Sequence, residues 1–287
     1  MNCYKTLWLR VSLLALLWMG NLSLNLASQN VIDSLEQVLE TDISDKERVD
    51  IYNTIAKSQR SDSLSVASNT TKALQLAQEI NYPEGISEAY NNLGNSARYR
   101  YDYHLAASFY SEALLIAKKA ANRLGEAKAN YGLGYTRYLQ GQFSEAHYYL
   151  SRALENFTEV GDEISANFTI RYIGSNYANQ ADHVEALKHY HLALDRLSAL
   201  TVEPFYLGDL HIDIADTYRY QARYPEAIDH YFDALEIFDQ IEDNFGKATA
   251  YNNIGVAFYE QKNYEKALYY YSESLKLEVA LGEEGSP

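Results

Sequence analysis

Residues 128–154 read KANYGLGYTRYLQGQFSEAHYYLSRAL, and this stretch contains the pattern that decides the fold. Gly134 is followed twelve residues later by Ala146 and nineteen residues later by Ala153. Apolar residues recur at steps of three and four on both sides of a short polar link at 140–142. Such spacing is typical of amphipathic helices. The stretch therefore predicts two helices joined as an antiparallel hairpin.

The same pattern recurs along the chain with a period of about 40 residues. A small residue preceded by Leu or Ile stands at Gly94, Gly134, Gly174, Ala215 and Gly255. Small residues follow at two fixed distances, at Ala106, Ala146, Ala186, Ala227 and Ala267, and then at Ala113, Ala153, Ala193, Ala234 and Ser274. A large residue lies sixteen positions after each first member, at Tyr110, Leu150, Tyr190, Tyr231 and Tyr271. Repetition at such a period indicates a solenoid of stacked units.

These columns resemble the tetratricopeptide repeat, whose usual period is about 34 residues. Copies such as AYNNLG at 89–94 and AYNNIG at 250–255 are most similar to a 40-residue variant, found in Pins-type adaptors and in input domains of bacterial sensor proteins. One departure is that the family's proline near the end of the repeat is missing. Glycine stands in that link instead, at Gly85, Gly125 and Gly246. The resemblance implies an all-α, right-handed solenoid of antiparallel helix hairpins with about six repeats.

The pattern divides the chain into four parts. Residues 1–28 are predicted to be a signal peptide, and 29–47 an N-terminal capping segment with a short helix at 31–39. The repeat array is predicted over 48–281, and 282–287 form a tail or the start of a further repeat. The six repeats are placed at about 48–81, 82–121, 122–161, 162–202, 203–242 and 243–281.

The first 28 residues have the order of a secretory signal. Lys5 and Arg10 precede or border an apolar run at 11–20, and a polar stretch ends in small residues near Ala27-Ser28. This order predicts export to the periplasm or the cell exterior, with cleavage near that dipeptide. The apolar run is about half of the ~20 residues that span a bilayer, and the alternative is an uncleaved membrane anchor. Cleavage would remove Cys3, the single cysteine, and would leave no integral membrane segment.

Charge and motif content restrict the function classes. Acidic residues outnumber basic ones by 39 to 24, and a net charge of −15 disfavours a nucleic-acid partner. Triad serines, glycine-rich phosphate loops and zinc-ligand spacings are not found. His189 and His191 are two residues apart and so fall on different faces of a helix. The sequence therefore predicts a protein that is not an enzyme, with no catalytic residue, no metal and no cofactor.

The resemblance also indicates where a partner would bind. In tetratricopeptide repeats the first helices of the hairpins line a concave groove that holds peptides. The positions that match this groove are Asn91, Asn95, Arg98, Lys128, Tyr131, Tyr135, Tyr138, Arg171, Arg219 and Asn252. In similar 40-residue repeats, asparagines hydrogen-bond the backbone of an extended peptide, and Asn91, Asn92, Asn252 and Asn253 match them.

Two kinds of groove residue leave alternatives open. The cations Arg98, Lys128, Arg171 and Arg219 would suit an acidic peptide or a C-terminal carboxylate. Alternatively, they pair with neighbouring Glu88, Asp209 or Asp216 and hold the stack together. The tyrosines 131, 135 and 138 would stack on a peptide or sugar, or else pack between neighbouring repeats.

The sequence thus supports two functions of different class. The first is an exported scaffold whose groove binds a protein or peptide partner. The alternative is a periplasmic sensory input domain of a membrane signalling protein, a histidine kinase or a cyclase, whose C-terminal part is absent. An enzyme acting on sugars or peptides would rest on the tyrosines alone and is not favoured.

Overall fold

A computed structural model describes residues 24–58 and 63–284, which form thirteen α-helices and no strand. The helices are α1 Leu24–Leu39, α2 Asp45–Ser58, α3 Ser63–Glu79, α4 Pro83–Tyr99, α5 Tyr103–Lys119, α6 Arg123–Leu139, α7 Phe143–Val160, α8 Glu163–Ala178, α9 His183–Ser198, α10 Phe205–Tyr220, α11 Tyr224–Gln240, α12 Asn244–Glu260 and α13 Tyr264–Glu284. Among them, no helix combines the length and the apolar character needed to cross a bilayer. The predicted all-α class is confirmed.

The N-terminal part of the described chain differs in detail from the prediction. Helix α1 is described from Leu24 to Leu39, so residues 24–30 are helical in addition to the short helix predicted at 31–39. The predicted signal peptide lies outside the described residues as far as residue 23. Helix α2 begins at Asp45, and Ser44 and Glu47 form a capping box there. The Ser44 N–H donates to Oε2 of Glu47 at 3.0 Å, and the Glu47 N–H donates to Oγ of Ser44 at 3.3 Å.

The helices fall into two compact units. Unit 1 extends to Val160 and contains α1 followed by the hairpins α2–α3, α4–α5 and α6–α7. Unit 2 begins at Gly161 and contains the hairpins α8–α9, α10–α11 and α12–α13. Within each unit the second helix of one hairpin packs on the first helix of the next, and successive first helices also touch. The first helices of each unit therefore form a wall, and the six hairpins confirm the predicted number of repeats.

Most turns between consecutive helices share one geometry. In the turn after α6, Gly141 has φ +72°, and the N–H of Gln142 donates to the carbonyl of Arg137 at 2.9 Å. A left-handed residue with this six-to-one bond ends a helix in the Schellman manner. Most equivalent turns use a residue other than glycine, such as Ala121 and Lys262. An aspartate or asparagine often follows and caps the next helix through its side chain, at Asp102, Asn122, Asp162, Asp182 and Asp243.

The repeating small residues form the contact surface inside each hairpin. A Cβ built on Gly94 would lie 2.6 Å from the ring of Tyr110, and one on Gly174 would lie 2.9 Å from Tyr190. At Gly94 and Gly174 the absence of a side chain thus makes room for the ring sixteen positions later, whereas Ala215 fills the same column beside Tyr231. The alanines of the other two columns are fully or almost fully buried, at Ala106, Ala113, Ala146, Ala153, Ala186, Ala193, Ala227, Ala234 and Ala267. The close approach of paired helices that the sequence predicts is present in both units.

Candidate functional site

Two residue stripes form the candidate binding surface of unit 1. Steps of three and four residues place Glu88, Asn91, Asn95 and Arg98 along one face of α4. The same steps place Lys128, Tyr131, Tyr135 and Tyr138 along α6, which contacts α4. We call these eight residues the unit 1 wall. Seven of the ten groove residues predicted from the sequence lie in it.

The two stripes touch at both ends of the unit 1 wall. At one end the Nζ of Lys128 lies 2.8 Å from a carboxylate oxygen of Glu88. At the other end the guanidinium of Arg98 lies over the ring of Tyr135, with 4.8 Å from its central carbon to the ring centroid. Arg98 also covers the ring of Tyr99 at 4.6 Å. These contacts fix the spacing between α4 and α6.

Arg98 differs from the other cations of the predicted groove. Its surroundings are the Tyr99 and Tyr135 rings and the hydroxyl of Tyr110. No carboxylate in residues 24–58 and 63–284 forms an ion pair with it. Burial raises the pKa of Tyr110 to about 12, so its hydroxyl stays neutral and donates to Oδ1 of Asn95 at 2.8 Å. Arg98 is thus a permanent cation held by aromatic groups, and its positive charge is not neutralised.

The asparagines of α4 have different environments. Asn91 is 4 % exposed, and neither its amide nitrogen nor its amide oxygen has a hydrogen-bond partner. Asn92 is also buried, but its amide donates to the backbone carbonyl of Asn53 at 3.0 Å. A buried polar group without a partner is costly and calls for an explanation. Asn91 is the member of the unit 1 wall with unused hydrogen-bonding capacity, whereas Asn92 joins α4 to α2.

The tyrosines of α6 form a ladder. The rings of Tyr131 and Tyr135 are stacked with centroids 6.4 Å apart, and those of Tyr135 and Tyr138 are stacked at 6.1 Å. Tyr131 meets the edge of Phe157 and Tyr138 meets Phe143, both on α7. All three tyrosines are partly buried. The ladder therefore packs within its own hairpin and presents partial ring faces beside Arg98.

An open groove of about 410 Å³ lies at the Lys128 end of the unit 1 wall. Its lining includes Asp50, Asn53, Glu84, Glu88 and Lys128 from the first helices α2, α4 and α6. Asp50 accepts a hydrogen bond from the hydroxyl of Tyr82 at 3.0 Å. This end of the unit 1 wall is mostly acidic, in contrast to the Arg98 end.

In unit 2 the predicted groove cation Arg171 is neutralised. Its Nε lies 2.6 Å from Oδ2 of Asp213, and its Nη1 lies 3.5 Å from Oδ2 of Asp209. Both aspartates belong to α10, so the cation joins the first helices of two hairpins. Burial raises the pKa of Asp209 and Asp213, and Arg171 offsets part of that rise. Arg171 therefore pairs with neighbouring carboxylates and holds the stacked hairpins together, which was the second of the two roles considered for it.

Arg219 is paired in the same way, one hairpin later. Its Nη1 lies 2.7 Å from Glu260 on α12, and its Nη2 lies 3.6 Å from Asp216. Asp216 in turn accepts from the hydroxyl of Tyr231 at 2.5 Å. Asn252 on α12 is exposed, unlike its counterpart Asn91. In unit 2 the predicted residues are thus an exposed amide and two ion-paired arginines.

Unit 2 also contains a cluster that the sequence did not reveal. Nδ1 of His211 on α10 lies 3.0 Å from Nδ1 of His230 on α11. Oδ2 of Asp233, one turn after His230, lies 3.4 and 3.7 Å from these two nitrogens. The sequence feature that could have indicated part of this cluster is the His-x-x-Asp spacing at 230–233, which places both side chains on one helix face. The contribution of His211 depends on how the hairpin packs.

Comparison with known proteins gives the family. The family model named Tetratricopeptide repeat matches residues 85–159, 166–240 and 206–277, which is more than half of the chain. The chain belongs to the tetratricopeptide repeat family. Human G-protein-signaling modulator 1 is 38 % identical over 61 residues, which are 21 % of this chain and 9 % of that protein. This TPR chain therefore spans only a small part of the curated relative's length.

Solved structures share the TPR fold at low sequence identity. A Rap protein complexed with Competence and Sporulation Factor has a TM-score of 0.68 and 16 % identity, with coverage of 91 % of this chain and 71 % of that one. NprR in complex with its cognate peptide NprX has a TM-score of 0.64 and 15 % identity, with coverage of 88 % and 74 %. At these identities the likeness establishes the fold of the TPR chain.

Proposed function

We propose that this TPR protein is an exported scaffold that binds a protein or peptide segment along the unit 1 wall, without catalysis. The observation that supports this most directly is the state of Arg98. Within the described residues, no carboxylate forms an ion pair with the Arg98 guanidinium. It can therefore bind an acidic side chain or a C-terminal carboxylate of a partner. Lys128, Arg171 and Arg219 already have carboxylate partners and are structural in this proposal.

Two further features of the unit 1 wall support a peptide ligand. Asn95, half-buried on the same face of α4 as Arg98, can pair with the backbone of an extended chain, since an amide offers both donor and acceptor. The similar NprR structure is in complex with a cognate peptide, and the similar Rap structure is in complex with Competence and Sporulation Factor. A groove that reads backbone amides and one carboxylate would accept many sequences with an acidic end.

We expect Arg98→Ala to weaken binding of an acidic peptide by roughly ten- to a hundredfold, the value of one charge-assisted hydrogen bond. The probes are fluorescein-labelled peptides of equal length: an acidic peptide with a free C-terminal carboxylate, its C-terminal amide, and a basic peptide. Fluorescence anisotropy measures the Kd of each. The amide form separates recognition of the terminus from recognition of acidic side chains.

The control for this prediction is Arg152→Ala. Arg152 is an exposed arginine on α7 that pairs with Glu155 at 3.0 Å, so its loss removes the same charge from the same unit. Its Kd for the acidic peptide should equal that of the parent chain. Equal affinity of the parent and Arg98→Ala for all three peptides would refute the role of Arg98 and the acidic specificity.

Export remains part of the proposal and is supported by the order of charged, apolar and small residues in the first 28 positions. N-terminal sequencing of the protein from fractionated cells tests it, with a mature end near Ala27-Ser28 as the expected result. The alternative, a sensory input domain, would be favoured by a reading frame that continues beyond Pro287 into an apolar span and a catalytic domain.

A further inference from the structure

The inference concerns the cluster of His211, His230 and Asp233 in unit 2. Three ligand-type atoms from these side chains form a triangle with edges of 3.0, 3.4 and 3.7 Å. Tetrahedral Zn²⁺ with ligands at 2.0–2.1 Å separates neighbouring ligand atoms by roughly 3.3 Å. The triangle thus already has the size of one face of such a coordination sphere.

We propose that His211, His230 and Asp233 bind one divalent transition-metal ion of the Zn²⁺ class. Two imidazole nitrogens and one carboxylate oxygen are a donor set that suits zinc and its neighbours, whereas Ca²⁺ and Mg²⁺ favour oxygen ligands. Three protein ligands leave the fourth position of a tetrahedron for water or for a donor from a partner.

The protonation and burial of the cluster are compatible with metal binding. Burial lowers the pKa of both His211 and His230, so each ring is neutral at pH 7 and has a lone pair to offer. Both imidazoles are largely buried, with side chains 15 % and 21 % exposed, while Asp233 is 55 % exposed. The rings are therefore held in place by packing, and the carboxylate provides a route from solvent.

The three proposed ligands come from both helices of one hairpin of unit 2. His211 belongs to the first helix of the α10–α11 hairpin, and the other two ligands belong to the second helix. A bound ion would therefore cross-link the hairpin. His191 of α9 borders the cluster, with its ring centroid 5.9 Å from that of His230. Its Nε2 lies 3.2 Å from the Tyr218 hydroxyl, so it is a neighbour rather than a fourth ligand.

A simpler explanation of the same geometry is a hydrogen bond between the two histidines. One Nδ1 would carry the proton and the other would accept it, with Asp233 nearby. That arrangement needs no ion, and it predicts that added metal changes nothing. The two explanations therefore differ in a measurable way.

The test uses the full chain without a histidine tag, stripped with EDTA and titrated with Co²⁺ and then Zn²⁺. We expect one equivalent of Co²⁺ to give the intense visible absorption of a tetrahedral site, and Zn²⁺ to displace it. Zn²⁺ should also raise the melting temperature. Absence of saturable Co²⁺ and Zn²⁺ binding by the parent chain would overturn the proposal.

Variants assign the binding to the cluster. His211→Ala and His230→Ala should abolish the Co²⁺ spectrum, and Asp233→Asn should weaken Co²⁺ binding at least tenfold. Because Asp233 is exposed, its variant keeps the test valid if a histidine variant fails to fold. The matched control is His104→Ala, which removes an exposed histidine from unit 1 and should bind like the parent. Unchanged binding in folded cluster variants would assign the ion elsewhere and refute the site.

Discussion

Gly134→Leu is expected to lower the free energy of unfolding by about 1–3 kcal/mol, the usual cost of overpacking a tight contact. A Cβ at this position would lie 2.7 Å from Cγ of Leu150 and 2.9 Å from its backbone nitrogen. A side chain can rotate away, but the backbone of α7 can move only if the hairpin opens. Urea unfolding followed by circular dichroism measures the change.

The Ala variant at the same site tests the reason for the effect. Alanine is favoured over glycine inside a helix by about 1 kcal/mol, so Gly134→Ala would stabilise the protein if no contact interfered. We expect it to destabilise instead, because the added Cβ would lie only 2.9 Å from the backbone nitrogen of Leu150, which cannot rotate away. Thr158→Leu adds apolar bulk at an exposed position of the same hairpin and should leave the urea midpoint almost unchanged. A Gly134→Leu midpoint equal to that of the parent would contradict the tight contact.

The hairpins were predictable because they depend on local periodicity. The spacing of Gly134, Ala146 and Ala153 fixes which helix faces are small, and the 40-residue period carries that information to each copy. The large residue sixteen positions after the glycine was visible in the sequence too. In the structure the Tyr110 and Tyr190 rings lie against the glycines of their own hairpins. Positions that recur together in the sequence are therefore in contact.

The state of each groove residue could not be predicted, because it depends on the neighbouring hairpin. Arg171 meets aspartates 38 and 42 residues away, and a shift of one helical turn would have left it without them. Asn91 and Asn252 share a column but differ in burial. Helix α4 has first helices on both sides, whereas α12 contacts only α10 among the first helices of unit 2.

The histidine cluster illustrates the same limit. His211 and His230 are 19 residues apart on two helices of one hairpin. Their rings meet only because α10 and α11 pack with a particular rotation, which residue spacing does not specify. The sequence did not separate the groove cations either, since Arg98 and Arg219 each stand four residues after the small residue of their repeat. Arg219 has Glu260 within 2.7 Å, while Arg98 has tyrosine rings.

Arg171→Met is expected to cost about 3 kcal/mol of unfolding free energy, because it leaves two partly buried carboxylates without their cation. The Arg171 side chain is 15 % exposed, and its guanidinium bridges α8 to Asp209 and Asp213 of α10. Arg152→Met is the matched control, since its pair with Glu155 is exposed on both sides and such pairs contribute about 0–1 kcal/mol. Urea unfolding at pH 7 compares the two variants with the parent.

The loss in Arg171→Met should depend on pH in a defined direction. Burial already holds the pKa of Asp209 and Asp213 above the ordinary value near 3.8, and removal of the cation raises it further. Between the ordinary and the raised pKa the folded state binds more protons than the unfolded state. Stability therefore falls as the pH rises through that window. The difference between the variant and the parent should be largest at neutral pH and should shrink on acidification toward pH 4.

A second substitution distinguishes an ion pair from simple loss of packing. Asp213→Asn in the Arg171→Met background removes one of the two stranded charges and keeps the size of the side chain. We expect the double variant to regain stability at pH 7 relative to Arg171→Met, and to lose most of the pH dependence. If the double variant were less stable than Arg171→Met at pH 7, Arg171 would stabilise the protein through packing of its aliphatic stem rather than through its charge.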